Sequence, residues 1–100
     1  MNYRLAATDI DGTLIDDNRH ISEYTARTIK KAVKDGLLFT IATGRSLCSI
    51  TQFIDEFEIS CPLITNNGAR IVTPGGEVLY SRDMKPESAI QIWRTGIAEN

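Results

Sequence analysis

Apolar and polar positions along the chain follow two periods, and the switches between them outline a fold. Residues 4–10, RLAATDI, form a short apolar run that closes on the turn-forming pair Asp11-Gly12, and they predict a buried strand. Residues 13–21 predict a small excursion, with Thr13-Leu14-Ile15 and His20-Ile21 flanking the turn residues Asp16, Asp17 and Asn18. A helical period then takes over. Ser22 suits the N-cap and Glu23 the first turn, while Ala26, Ile29 and Val33 recur on one face with Ala32 beside them. Lys30, Lys31 and Lys34 suit solvent and the helix C-terminus, and Gly36 ends the helix. Residues 37–43, LLFTIAT, are nearly continuously apolar, as in a parallel strand buried on both faces. After Gly44-Arg45-Ser46, a second helix presents Leu47, Ile50, Phe53, Ile54 and Phe57. Residues 61–65, CPLIT, give a third short strand broken by Asn66-Asn67-Gly68. ARIVT (69–73) and VLYS (78–81) flank Pro74-Gly75-Gly76, a hairpin pattern. Lys85-Pro86-Glu87 opens a last helix with Ile90, Trp93 and Ile97 on one side, by default a packing stripe.

The order strand, helix, strand, helix, strand, hairpin, helix argues for an α/β fold with a parallel sheet. Asp9 and Thr43 are separated by the length of one βαβ unit, whose right-handed crossover runs both strands the same way. Asp9, Thr43 and the pair Asn66-Asn67 therefore fall at the C-terminal ends of three strands. Open α/β sheets bind ligands at that edge. The convergence of three distant segments on one rim carries more weight than any single motif.

Composition narrows the function classes. The chain has 100 residues, 42% hydrophobic and 24% charged, an ordinary globular balance sufficient for one small domain. A net charge of -2 leaves no basic footprint for nucleic acid, and no run of like charge stands out. No stretch is long and apolar enough to cross a bilayer, and the N-terminus shows no signal-peptide pattern. Cys48 and Cys61 lie in apolar segments, as buried thiols of a reducing compartment do, and His20 has no partner for zinc. These features predict a cytoplasmic protein with neither nucleic-acid nor membrane partners.

The segment DIDGT carries the chemistry. Two carboxylates about 4 Å apart repel by roughly 4 kcal/mol at an effective dielectric near 20. A bound cation, a shared proton or exposure in a turn would offset this. Asp9, ionised at neutral pH, can act as a nucleophile on phosphorus or carbon. Asp11, two residues on, can protonate a departing alkoxide and then deprotonate water. A hard, oxygen-loving cation suits the pair, with Mg²⁺ the natural candidate. Gly12 allows a close backbone turn that Thr13 can hold, Thr43 offers a hydroxyl, and Gly44 permits close approach. The helix starting near Ser46 favours an anion. Each part suits phosphoryl transfer, which depends mainly on positioning and electrostatics.

Plainer readings exist for each. Asp-Gly is a common hairpin corner. An EF-hand loop fails because Leu14, not glycine, stands sixth from Asp9. Asp16 and Asp17 read as solvated turn residues, and His20 as an exposed loop residue. Arg45 suits substrate binding and a structural ion pair equally.

DIDGTL after the first strand, IATGRS after the second and ITNNGA after the third together resemble the haloacid dehalogenase-like (HAD) hydrolases, most nearly the Cof-type phosphatases. The resemblance runs from Leu5 to about Ser81. It implies a Rossmann-like parallel sheet and Mg²⁺-dependent hydrolysis of a phosphate monoester on a small phosphorylated metabolite through an aspartyl-phosphate. Carried over by position, Asp9 is nucleophile and metal ligand, and Asp11 is general acid/base with its backbone carbonyl on the metal. Thr43 is the phosphate-binding hydroxyl, Gly12 and Gly44 are backbone phosphate contacts, and Asn67 lines the site. Residues 13–21 resemble the flap hairpin over the nucleophile. Residues 1–81 correspond to the N-terminal half of the core, and 82–100 to the beginning of an inserted cap.

The chain departs from the family pattern in two respects. The family also uses a phosphate-neutralising lysine and a later Gly-Asp motif. After Thr43 this sequence has only Lys85, Asp55 and Asp83, with no Gly-Asp pair. The expectation is an N-terminal fragment with little activity alone, whose exposed sheet edge invites self-association. Alternatives are a phosphomutase of the same superfamily, or a non-catalytic binding module phosphorylated on aspartate.

Overall fold

The computed structural model describes residues 2–99. Its elements follow the expected order: β1 (Leu5–Thr8), α1 (Glu23–Lys34), β2 (Leu38–Ile41), α2 (Thr51–Glu56), β3 (Leu63–Thr65), β4 (Arg70–Val72), β5 (Val78–Ser81) and α3 (Pro86–Glu99). Strands β1 and β2 pair in parallel with Leu5 opposite Leu38 and Thr8 opposite Ile41. Strands β3, β4 and β5 form an antiparallel meander. One parallel bridge, Ala42 to Ile64, joins the two sheets, reinforced by the Thr43 N–H donating to the Ile64 carbonyl at 2.9 Å. The Thr40 hydroxyl adds a 2.7 Å hydrogen bond to the Pro62 carbonyl. The sheet is therefore parallel where the site lies and antiparallel toward the C-terminus, an α/β architecture.

Helix α1 forms for the reasons legible in its sequence. Ser22 is extended at the N-cap, and its hydroxyl accepts the Thr25 N–H. Gly36 follows at φ +106, the left-handed region in which a β-carbon is costly. Ala26, Ile29 and Val33 rest against the core, which gathers Ile10, Leu14, Ile15, Phe39, Ile41, Ile50, Phe53, Ile54, Phe57, Ile59, Leu63 and Val72. Phe39 and Phe57 meet edge to face with ring centroids 5.4 Å apart.

Several elements differ from expectation. The first strand is half exposed along its length, because one face of the sheet is covered and the other is open, leaving Leu5 and Leu38 in solvent. The second helix splits into a 3₁₀ turn, Leu47–Ser49, and the six-residue α2. There the Ser49 hydroxyl donates to the Ser46 carbonyl, a local bond that competes with helical pairing. Residues 13–21 form successive turns, not paired strands. Asp16 accepts the N–H groups of Asn18 and His20 on one carboxylate oxygen, while Leu14 and Ile15 enter the core. Cys48 is exposed, contrary to its expected burial. No helix among the described residues is long and apolar enough to cross a membrane.

Candidate active site

The ends of β1, β2 and β3 meet at one rim, and an open cleft of about 360 Å³ lies among them. Asp9, Ala42, Thr43, Gly44, Ile64, Asn67 and Gly68 line it. Four of the six expected site residues are thus brought together from three segments.

The cleft wall is pinned by backbone hydrogen bonds. The Asn67 N–H donates to the Thr43 carbonyl at 3.0 Å, and the Asn66 N–H to the Arg45 carbonyl at 2.9 Å. These bonds require a sharp reversal after β3. Asn66, Asn67 and Gly68 supply it with three consecutive positive φ values of 52°, 56° and 91°. Asparagine and glycine tolerate this region best. Close approach then follows: a β-carbon on Gly44 would lie 2.7 Å from the Asn67 side-chain oxygen. A side chain at position 44 would therefore make the exposed Asn67 side chain move aside.

Thr43 is buried, and its hydroxyl oxygen accepts the Arg45 N–H at 3.0 Å. Because that bond uses a lone pair, the hydroxyl proton remains available for an anion in the cleft. Asp9 is exposed, with one carboxylate oxygen accepting the Ile10 N–H at 2.8 Å. The next turn winds tightly about the Ile10 carbonyl, which accepts from Thr13, Leu14 and Ile15. Gly12, at φ +79, makes that turn, and it borders a neighbouring hollow with Thr13, Asp16, Ser22 and Thr25 instead of the cleft itself.

Asp11 also lies outside the cleft wall. Its carboxylate receives the Arg45 guanidinium fork, Nε to Oδ2 at 2.9 Å and Nη2 to Oδ1 at 2.6 Å. The hydrogen bonds from Arg45 hold the Asp11 carboxyl below its ordinary value against the opposing effect of desolvation, and the charges of Arg45 and Arg19 add to the lowering. Asp11 reciprocally raises Arg45. Of the two readings open for Arg45, the structure shows the ion pair. The guanidinium gives the Asp11 carboxylate its countercharge. No sequence rule joins two residues 34 positions apart.

The donor set suits a hard divalent cation in kind. Such ions take oxygen ligands, and Mg²⁺ keeps several waters beside one or two carboxylates. Asp9 retains a carboxylate oxygen for that purpose. Among the described residues no group of three or more His, Cys, Asp or Glu side chains gathers, and the Asp11 carboxylate is engaged by Arg45. The residues present therefore fit one end of such a site.

Comparison with known proteins agrees with the geometry. A family model described as haloacid dehalogenase-like hydrolase matches residues 6–100. The HMP-PP phosphatase of Klebsiella pneumoniae (strain 342) is 40% identical over 86 residues, covering 86% of this chain and 32% of the relative. A haloacid dehalogenase-like hydrolase from B. subtilis superposes with a TM-score of 0.78 at 27% identity, covering 97% of this chain and 34% of that one. A Bacteroides thetaiotaomicron haloacid dehalogenase-like hydrolase shares the fold with a TM-score of 0.83 at 24% identity, over 92% and 36% of the two chains. The chain spans about a third of the length of the curated relatives it matches.

Proposed function

This chain belongs to the haloacid dehalogenase-like hydrolases, and from that premise we propose that the protein hydrolyses the phosphate monoester of a small metabolite through an aspartyl-phosphate on Asp9. The observation that carries the reading is the single cleft in which Asp9 faces Thr43, Gly44 and Asn67 from three strand ends. The curated relative from Klebsiella pneumoniae is named a phosphatase, which supports the reaction class.

In the proposed reaction an Asp9 carboxylate oxygen attacks phosphorus and the ester P–O bond breaks. The leaving oxygen takes a proton from Asp11. Water then attacks phosphorus as Asp11 removes its proton, the Asp9–phosphorus bond breaks, and phosphate leaves with Asp9 restored. The Thr43 hydroxyl donates to a phosphoryl oxygen, and Gly44 lets that oxygen approach the backbone. Gly12 keeps the β1 loop tight, with its peptide available to the phosphate. Asn67 closes the cleft on the far side. Before donating a proton Asp11 must leave the fork of Arg45, since that pairing favours the ionised carboxylate. Asp9 would be the carboxylate ligand of Mg²⁺, joined by the Asp11 carbonyl, and the ion would screen the nucleophile from the anionic phosphate.

We assign residues 1–81 to the family's core and 82–100 to the start of an inserted cap. Turnover of an activated aryl phosphate with Mg²⁺ tests the reaction. Asp9→Asn is expected to abolish it while the fold persists by circular dichroism. Undiminished turnover in that variant rejects Asp9 as nucleophile.

A further inference from the structure

We propose that the hollow between the turns of residues 16–21 and helix α2 is a binding site for a small organic anion with an apolar body, a carboxylate on a compact aryl or branched alkyl group. The hollow lies apart from the cleft at the strand ends and shares no lining residue with it. The site therefore stands whether or not the proposed reaction does.

The hollow measures about 300 Å³ and is lined by Arg19, His20 and Ile21 from the turns and by Gln52, Phe53 and Glu56 from α2. Its floor and its rim differ in character. Phe53 is buried and Ile21 is half-buried against the core, and together they give the hollow an apolar floor. Arg19, His20, Gln52 and Glu56 are exposed around it. Among the described residues, no hydrogen bond or ion pair engages the side chains of Arg19, His20 or Gln52. Arg19 reaches Asp11 through its charge alone and keeps its guanidinium donors. Glu56, the one carboxylate on the rim, is already paired with Lys30 at 3.0 Å. The rim thus offers uncommitted donors and a free cation, with its negative charge answered, and this favours an anion over a cation as occupant. Backbone bonds hold the donors in place. Arg19 stands in the left-handed region at φ 63, uncommon for such a residue, and its N–H donates to the Asp16 carbonyl at 3.0 Å. The His20 N–H donates to the Asp16 carboxylate at 2.9 Å. A concave apolar surface with a few convergent polar groups is the usual form of a small-molecule site. The guanidinium matches the paired oxygens of a carboxylate, and an aromatic or branched body covers Phe53 and Ile21. No hydrogen bond between described residues joins the turns of 16–21 to α2, so a ligand in the hollow ties the two together.

The test titrates phenylacetate into the full chain and follows amide chemical shifts, with phenylacetamide and acetate as comparison probes. Phenylacetate is expected to bind with a Kd of about 1 mM, the scale for a ligand of its size. It should shift the amides of Ile21, Gln52 and Phe53 and leave those of Thr43 and Asn67 in place. Phenylacetamide keeps the ring without the charge and should bind about tenfold more weakly. Acetate keeps the charge without the ring and should lose at least as much. Arg19→Gly suits the left-handed backbone and removes the guanidinium. It should bring phenylacetate down to the affinity of phenylacetamide and leave phenylacetamide unchanged. Gln52→Trp, at an exposed position, should obstruct the mouth and weaken both aryl probes. Equal wild-type affinity for phenylacetate and either comparison probe overturns the site. So does phenylacetate binding undiminished in a folded Arg19→Gly or Gln52→Trp variant, and so do shifts centred on Thr43 and Asn67. Absence of saturable phenylacetate binding to the wild type overturns it as well.

Discussion

The segment from Leu5 to Val72 and the segment from Val78 to Glu99 are both rich in apolar residues at regular spacing, yet only the first has an interior. Ile10, Ile41, Ile50 and Leu63 are fully buried in the first, whereas every described residue of the second is exposed, Trp93 at 66%. The second segment projects as an arm, and the dimensions of the molecule reflect it. Its radius of gyration is 16.6 Å, against about 13 Å for a compact domain of 100 residues. The contrast separates two properties that a hydrophobic period joins. The spacing of Ile90, Trp93 and Ile97 shapes an apolar face, but burial needs a second surface, and nothing within the described residues covers this one. In the first segment the covering surfaces, α1 and the turn after β2, lie between the strands they cover. The site sits in the first segment because only there are backbone ends held firmly enough to position side chains.

The largest test of this contrast is truncation of one apolar side chain in each region. Leu63→Ala, at a fully buried position of β3, should cost about 2–5 kcal/mol of unfolding free energy. Trp93→Ala removes a larger side chain from the arm and should change stability by less than about 0.5 kcal/mol. Urea denaturation of both variants measures the difference. Equal losses would mean that the arm shares the interior of the domain.

What the sequence disclosed follows the same division. Local signals were readable where chemistry acts over a few residues. Ser22 caps α1 as its type and position indicate, Gly36 ends it, and Pro74-Gly75-Gly76 turns a hairpin between β4 and β5. The rim was readable because a βαβ connection fixes strand direction, so Asp9 and Thr43 had to share an edge. Other features depended on competition or distance. The split of the second helix reflects Ser46 and Ser49 bonding locally, which helical periodicity does not register. The Asn66-Asn67-Gly68 run announced a break, while its three left-handed residues emerge only from hydrogen bonds to Thr43 and Arg45. Ile64 belongs to the cleft because strand alternation turns it away from buried Leu63 and Thr65, a signal present in the sequence but informative only once the covered face is known. The Asp11–Arg45 pair needed the tertiary fold.

A smaller effect comes from adding a methyl group in each region. Gly44→Ala places a β-carbon 2.7 Å from the Asn67 side chain, which must move out of the cleft wall. The expected cost is up to about 1 kcal/mol, with weakened binding of inorganic phosphate. Gly96→Ala in α3 meets nothing within 4 Å. It should raise helical content and favour α3 by about 0.5–1 kcal/mol, since alanine is the better helix former. Opposite signs in denaturation and circular dichroism distinguish a packed rim from an unpacked arm. Destabilisation by Gly96→Ala would show that α3 has a close neighbour.

The smallest effect is electrostatic and discriminates by pH. One arginine–aspartate fork lies within the first region, Arg45 with Asp11 at the rim, and a second, Arg70 with Asp83, ties that region to the arm. Hydrogen bonds from Arg45 depress the Asp11 carboxyl in the folded chain. Folding therefore favours the ionised form. That stabilisation is complete above the unfolded carboxyl value of about 3.9 and is lost as pH falls through the lower folded value. Arg45→Gln should lower the urea midpoint slightly near neutral pH, and the curves of variant and wild type should converge in acid. Exposure and salt screening keep the difference small, and raising the ionic strength should shrink it further. Arg70→Gln loosens only the root of the arm and should leave the midpoint of the domain unchanged. A gap between wild type and Arg45→Gln that persists undiminished into strong acid would mean that Arg45 stabilises the rim through its backbone contacts and packing alone, with no contribution from the charge of Asp11.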